Sequence, residues 1–374
     1  ARSIGAGKRE LAEQVASVAF FTGLIIGLLI AVFGNLSLRN IVYFLGATET
    51  IAPFAEDYAR YIFMAAPFMV CSFIMNNLLR FQGKASFAMV GITVGGLLNI
   101  ALDPLFIFTL DMGTAGAALA TGLSQFISFC ILLWMCNHQD SCISISIRKF
   151  RPKLAIYREV LYGGIPSLGR QGIASVATIL MNFMCQPYGD AAIAAMSIVS
   201  RFMFFINSVI IGFGQGFQPV CSYCFGAGLY DRVKKACWFC IRVSTIILLV
   251  LSVISFPAAR SIITLFRRND PTVIEIGTLA LRLQLITLPL QGAVIMGNMM
   301  PQSIGYGFRA TLVSTARQGI FLIPLLTIMT YTIGLLGIQC AQPLADIATF
   351  ILSLFVIRGI FKEFPEDVSS SAAQ

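Results

Sequence analysis

Ten apolar runs, each long enough to cross a hydrocarbon layer of ~30 Å, constrain this sequence more than any other feature. They occupy residues 12–33, 58–79, 86–108, 115–136, 160–186, 192–222, 236–256, 273–299, 308–330 and 333–357. Short polar connections separate them, which identifies an all-α polytopic membrane protein with ten visible transmembrane helices. The totals agree: 57% of the residues are hydrophobic, 11% are charged, and the mean hydropathy is +0.83. The net charge of +9 does not imply nucleic acid, because the basic residues lie in the connections rather than on one face or tail. Placing alternate connections on opposite sides puts sixteen Lys and Arg on one side, among them Lys8, Arg9, Arg148 and Lys149. Only five, Arg39, Arg60, Arg260, Arg267 and Arg268, fall on the other. The excess predicts that both visible ends are cytoplasmic.

The basic connection at 138–156 separates an N-terminal lobe at 1–137, with four helices, from a C-terminal lobe at 157–358, with six; a polar tail follows at 359–374. An internal repeat links the lobes. Gly5-Ala6-Gly7 returns as Gly226-Ala227-Gly228, and Gly113 and Gly116 return as Gly334 and Gly337, each 221 positions later. Pro67 and Pro104 have near-counterparts in Pro289 and Pro324. The segment from Pro166 to Phe225 has no earlier counterpart. The repeat therefore predicts a six-plus-six protein whose first two helices precede Ala1, built from parallel halves related by an axis along the membrane normal.

The stretch NIALDPLFIFTLDMGTAGAALAT, Asn99 to Thr121, is the first candidate site. Asn99 and Asp103 are four residues apart on one helix face, which continues through Gly95 and Gly91, small residues that let a second helix approach. Pro104 removes a backbone hydrogen bond and marks a helix bend. A carboxylate inside a span is a functional-site hypothesis by default, and with Asn99 and Thr121 it supplies several oxygen ligands, so Na+ is one possible occupant.

Other motifs weigh less. Cys221, Cys224, Cys237 and Cys240 form two C-x2-C pairs twelve residues apart, a spacing that would suggest zinc in a soluble protein. Here they sit at the ends of two apolar helices, and the other six cysteines are scattered, so neither metal nor disulfides are expected. Gly5–Lys8 lacks the glycine spacing and the hydroxyl residue of a phosphate loop. Gly212-Phe213-Gly214-Gln215-Gly216-Phe217-Gln218-Pro219 lies within a span and indicates a bent or locally unwound helix rather than phosphate binding, with Gln215 and Gln218 candidates for a substrate path. Arg170-Gln171 and Arg317-Gln318 place a cation beside an amide near mid-span, with Arg282 close in character and Asp346 the sole acid of the second lobe's spans. These arginines either neutralise Asp346 and bind carbonyls or form an anion site; the structural reading is preferred. The single histidine, His138, is in a connection, so no Ser-His-Asp set can be assembled within the spans and an intramembrane enzyme is not expected.

LLRFQGKASFAMVGITVGGLLNIALDPLFIF and GTAGAALATGLSQ resemble the multidrug and toxic compound extrusion (MATE) family. GGIPSLGRQ, YGDAAIAAMSIVSR and GFGQGFQPVCSYCFGAGLYDRVKKA are similar to its DinF/MepA-like bacterial branch. The resemblance covers all ten spans. It implies a two-lobed secondary active antiporter in the bacterial inner membrane that exports organic, often cationic compounds while H+ or Na+ enters, without a cofactor, as a monomer. Asn99, Asp103 and Thr121 match the family's N-terminal-lobe cation site, which also uses an aspartate on a first helix that these residues do not include. The alternatives are a flippase of lipid-linked oligosaccharides, whose anionic cargo would need Arg170, Arg282 and Arg317 around one cavity, and a non-transporting remnant.

Overall fold

The computed structural model describes residues 1–44, 49, 52–137, 145–268 and 270–365. His138, Cys142 and most of the tail at 359–374 lie outside the described residues. The described chain is helical: α1 Arg2–Gly5, α2 Arg9–Leu36, α3 Leu38–Phe44, α4 Ala52–Phe81, α5 Ala85–Pro104, α6 Gly113–Asn137 and α7 Leu154–Cys185 come first. They are followed by α8 Asp190–Gly226, α9 Tyr230–Phe266, α10 Pro271–Thr287, α11 Gln291–Ile304, α12 Gly307–Thr315, α13 Leu322–Ile333 and α14 Leu335–Lys362. Nine segments among the described residues are long and apolar enough to span, counting α10 with α11 and α12 with α13 as single crossings. The tenth expected span, 160–186, lies in α7, one continuous helix of 32 residues whose Arg170, Gln171 and Asn182 dilute its apolar character.

Many exposed side chains are large and apolar, including Phe73, Phe108, Phe204 and Phe355. In water such a surface would aggregate; in lipid it is the solvated face. Because lipid tails are as apolar as leucine, burial alone does not drive these helices together, and close backbone approach does more of the holding.

The chain divides into two compact units, one formed chiefly by Gly7–Tyr157 and the other by Arg158–Gln374 together with Arg2 and Ile4–Ala6. In the first, α4 packs against α2, α5 and α6. Gly27 of α2 lies against Pro67 of α4, where an added Cβ would stand 2.5 Å from the proline Cα. Gly122 of α6 meets Ala65 of α4. Asn76, buried in α4, donates to the Ala88 carbonyl of α5 at 2.8 Å. Pro67 leaves one carbonyl unpaired within α4, and the tight seat against Gly27 lies beside that defect.

In the second unit α8 packs against α9, α10 and α11, and α14 runs beside α10, α11 and α13. Its spans are interrupted twice. Pro289 sits in a 3-10 turn, Leu288–Leu290, that separates α10 from α11, and a π-helical segment, Ala316–Phe321, separates α12 from α13. The Gly-Ala-Gly repeat also makes a contact. A Cβ on Gly5 would collide with the Tyr223 carbonyl, and one on Gly226 would collide with the Arg2 carbonyl. Tyr223 stands 221 positions after Arg2, as Gly226 does after Gly5, so the contact is reciprocal at the spacing of the repeat. Arg2 reinforces it with an ion pair to Glu159 and a bond to the Ile304 carbonyl at 3.4 Å, which caps the end of α11.

Candidate functional site

Two glycines and two serines decide where the first-unit site forms. Ser128 of α6 fits against Gly95, with its Cβ 3.0 Å from where a glycine Cβ would be, and its hydroxyl donates to the Gly91 carbonyl at 2.8 Å. Ser124 lies one turn along α6 and is buried beside the same seam. The two helices run antiparallel, so a further turn toward the end of α5 brings Asn99 level with Thr121. Asn99 Nδ2 donates to Asp103 Oδ1 at 3.2 Å and to Thr121 Oγ1 at 3.3 Å. Thr121 Oγ1 donates to the Ala117 carbonyl at 3.0 Å. All three residues are half-buried.

The amide is therefore the hub of the cluster. Its nitrogen faces two oxygens and supplies partial positive charge where a cation would otherwise stand between them. Oδ2 of Asp103 makes no hydrogen bond among the described residues. Turning the amide over would aim its oxygen at the same place and give three oxygen ligand types, carboxylate, hydroxyl and amide, which is the donor set a hard cation accepts. Pro104 is the last residue of α5, and the chain continues as a π-helical segment, Leu105–Thr109, before α6 begins. A π segment directly after the acid leaves the α-helical hydrogen-bond register there interrupted.

A second polar cluster fills the other unit. Asp346 of α14 is 1% exposed and receives three donors. Arg317 Nε reaches Oδ1 at 2.8 Å, Gln342 Nε2 reaches Oδ1 at 3.1 Å, and Gln291 Nε2 reaches Oδ2 at 2.7 Å. The donors come from three places: Gln291 is the first residue of α11 after the Leu288–Leu290 turn, Arg317 lies in the π segment, and Gln342 is within α14, one residue before Pro343. Gln291 is fully buried, and its Oε1 has no donor among the described residues.

The remaining second-unit candidates are dispersed. Arg170 and Gln171 are exposed on α7, and Gln318 is half-buried beside Arg317. Gln215 is half-buried and Gln218 buried, both on α8, which stays helical through the glycine-rich run. Arg282 is exposed, with its guanidinium 5.5 Å from the centre of the Phe256 ring. Of the three arginines an anionic cargo would need, Arg317 is committed to Asp346 and Arg282 to an aromatic face. The four clustered cysteines form no metal-binding group among the described residues.

The sequence reading missed Gln291 and Gln342. Gln342 carried a signal, since it precedes Asp346 by four residues as Asn99 precedes Asp103. Gln291 carried none: it lies 55 positions before Asp346 on another helix, where α11 begins after the turn at Pro289.

The MatE family model matches residues 1–105 and 166–328, well over half of the sequence. The chain belongs to the MATE family. Multidrug export protein MepA of Staphylococcus haemolyticus is 27% identical over 369 residues, covering 99% of this chain and 81% of that protein. MepA of Staphylococcus aureus strain N315 is 27% identical over 358 residues, covering 95% and 78%. Among solved structures, a MATE in the straight conformation superposes with a TM-score of 0.91 at 26% identity, over 97% of this chain and 82% of that one. A MATE in the bent conformation gives 0.90 at 25% identity, over 100% and 82%. The protein is thus a multi-pass membrane transporter of the DinF/MepA-like MATE branch.

Proposed function

We propose that this MATE protein is a secondary active exporter of organic, often cationic compounds, driven by inward movement of H+ or Na+, with Asp103 as the carboxylate that both traffic through. The observation that carries the reading is the pair of bonds from Asn99 Nδ2 to Asp103 Oδ1 and Thr121 Oγ1. An acid inside a span, held by one amide and presenting a second oxygen, can accept a proton, an alkali cation or a cationic drug, but only one at a time. Competition for a single carboxylate is sufficient for antiport: a site loaded with drug on the cytoplasmic side is emptied when an ion takes the drug's place on the other. Pro104 and the π segment after it give the end of α5 a place to change its bend between the two loadings.

The two ions would leave different traces in the amide. A proton on Asp103 Oδ2 leaves Asn99 Nδ2 donating as described. Na+ requires the carboxamide to turn, so Asn99→Leu would abolish Na+ dependence while Asn99→Asp would retain it. The multidrug export names of the MepA relatives support the substrate class, and the basic connections support an inner-membrane orientation with cytoplasmic ends.

The test is accumulation of a cationic dye in cells expressing wild type or Asp103→Asn at equal membrane abundance. Wild type should lower the dye and Asp103→Asn should not. Export that survives the substitution would remove Asp103 from the mechanism, and equal dye in wild-type and empty cells would remove cation export itself.

A further inference from the structure

Helix α9 carries no charged residue between Arg242 and Arg260. Those seventeen positions rise about 25 Å along a helix, close to the thickness of a bilayer hydrocarbon core. Arg260 therefore stands where hydrocarbon gives way to headgroups, and the rest of α9, up to Phe266, lies at headgroup depth.

At that depth Arg260, Ser261, Thr264, Leu265 and Arg268 line one open cleft of about 360 Å³. Among the described residues no carboxylate pairs with the two arginines that line it. Three arginines occur at this end of the helix, and the next acid along the chain, Asp270, is already engaged: its Oδ2 lies 3.7 Å from Arg267, and its Oδ1 caps α10 by accepting from the Val273 N–H. Neither Arg260 nor Arg268 has a side-chain partner among the described residues, and both are exposed. Thr264 has its hydroxyl proton committed to the Arg260 carbonyl at 2.8 Å, so Ser261 is the hydroxyl donor available to the cleft. Leu265 and Phe266, 72% and 52% exposed, form an apolar ledge beside it.

Two guanidinium forks, one free hydroxyl and an apolar ledge at headgroup depth match one chemistry: a phosphate monoanion attached to an acyl-bearing body. We propose that this end of α9 holds the phosphate of an anionic membrane lipid, with Arg260 and Arg268 binding the phosphate oxygens, Leu265 and Phe266 flanking the headgroup, and the acyl chains running past Arg260 into the hydrocarbon. A zwitterionic lipid also carries a phosphate, but its ammonium group would meet the two arginines unfavourably. The cleft is outside the Asp103 and Asp346 clusters, so the proposal is independent of the transport reading.

The test is native mass spectrometry of the delipidated full-length protein titrated with phosphatidylglycerol or phosphatidylcholine. Each arginine near a charged headgroup is worth about fivefold in affinity and the pair about thirtyfold. R260Q/R268Q should therefore weaken phosphatidylglycerol binding by about thirtyfold and leave phosphatidylcholine unchanged. R260K/R268K should keep most of the affinity, and R267Q, whose charge already has Asp270, should change little. R260Q alone gives a fivefold readout should the double variant fail to fold. Equal phosphatidylglycerol affinity in wild type and R260Q, or equal affinity of wild type for both lipids, would overturn the proposal. Displacement of phosphatidylglycerol by inorganic phosphate would also overturn it, assigning the cleft to a soluble anion.

Discussion

Removing Arg317 should destabilise the protein more than neutralising its partner, although both break the same ion pair. The difference follows from burial: Asp346 is 1% exposed, whereas the Arg317 side chain is 24% exposed. In Arg317→Met a buried carboxylate keeps only two neutral amide donors, Gln291 and Gln342, and loses its counter-charge. Removing one partner of a buried pair costs about 3–5 kcal/mol. Discounting for the partial exposure of the guanidinium gives about 2–4 kcal/mol, on the order of 5–12 °C in melting temperature for a unit of this size. In Asp346→Asn the amide retains hydrogen bonds, and Arg317 can turn its head toward the exposed side, so the loss should be about 1–2 kcal/mol. The double variant Arg317→Met/Asp346→Asn should melt above Arg317→Met alone, since the unpaired charge is gone. Melting of the detergent-solubilised variants, followed by intrinsic fluorescence, reads all three. If Arg317→Met melts within about 1 °C of wild type, or below Asp346→Asn by less than the experimental error, the carboxylate does not depend on the guanidinium and the structural reading of this cluster fails.

The remaining predictions concern other parts of the chain. Gly95→Leu forces a branched side chain into Ser128 and should both lower melting by several degrees and displace Asn99 from Thr121, so that dye export falls with stability. Gly27→Val drives a β-branched side chain into the Pro67 backbone and should be as damaging to stability while leaving the Asn99–Thr121 bond in place. Thr121→Ser should retain ion coupling and Thr121→Val should weaken it, because the Asn99 amide needs an oxygen to donate to; the pH or Na+ dependence of dye export separates the two. Glu363 accepts from both outer nitrogens of Arg309, one at 2.9 Å, and this bonding holds its carboxyl below the ordinary value of 4.5. A lowered carboxylate stabilises above its unfolded value and loses that contribution as pH falls through the folded one. Wild type and Glu363→Gln should therefore melt together in strong acid and separate slightly above pH 4.5, a small effect because the pair is open to solvent.

Some of this was legible from residue order alone. Spacing was enough for Asn99 and Asp103 because both lie in one unbroken helix, where four residues make one turn. The approach of α6 was legible through Gly91 and Gly95, since small residues on the same stripe as polar ones leave room for a second helix. What residue order does not carry is the effect of backbone breaks. Gln291 and Asp346 are 55 positions apart on different helices, and Gln291 meets Asp346 where α11 begins, just after the turn at Pro289. Arg170 and Gln171 were legible near the middle of the 160–186 run, and α7 stays one continuous helix through them.

The repeat sharpens the contrast between the two clusters. Counting 221 positions on from Thr121 reaches Gln342, so both lobes place a side-chain hydrogen-bonding group at the same point of the last helix of the half. Counting on from Asn99 and Asp103 reaches Ile320 and Pro324, where the second lobe has no polar group to match. Its acid is instead on α14, four residues after Gln342, and its π segment begins ten residues earlier than the repeat would put it. Arg317 lies in that π segment and bonds to Asp346. The first lobe is left with a half-buried acid held by a neutral amide, and the second with a fully buried acid held by a guanidinium and two amides. An acid that must exchange occupants needs access and a partner that can turn away; an acid that ties α11, the π segment and α14 together needs neither. On this physical ground, Asp103→Asn should remove ion coupling at little loss of stability, and Asp346→Asn should lower stability while leaving export per folded molecule intact. Measuring melting temperature and dye export on the same two preparations decides it, and the opposite pairing of effects would exchange the roles assigned to the two clusters.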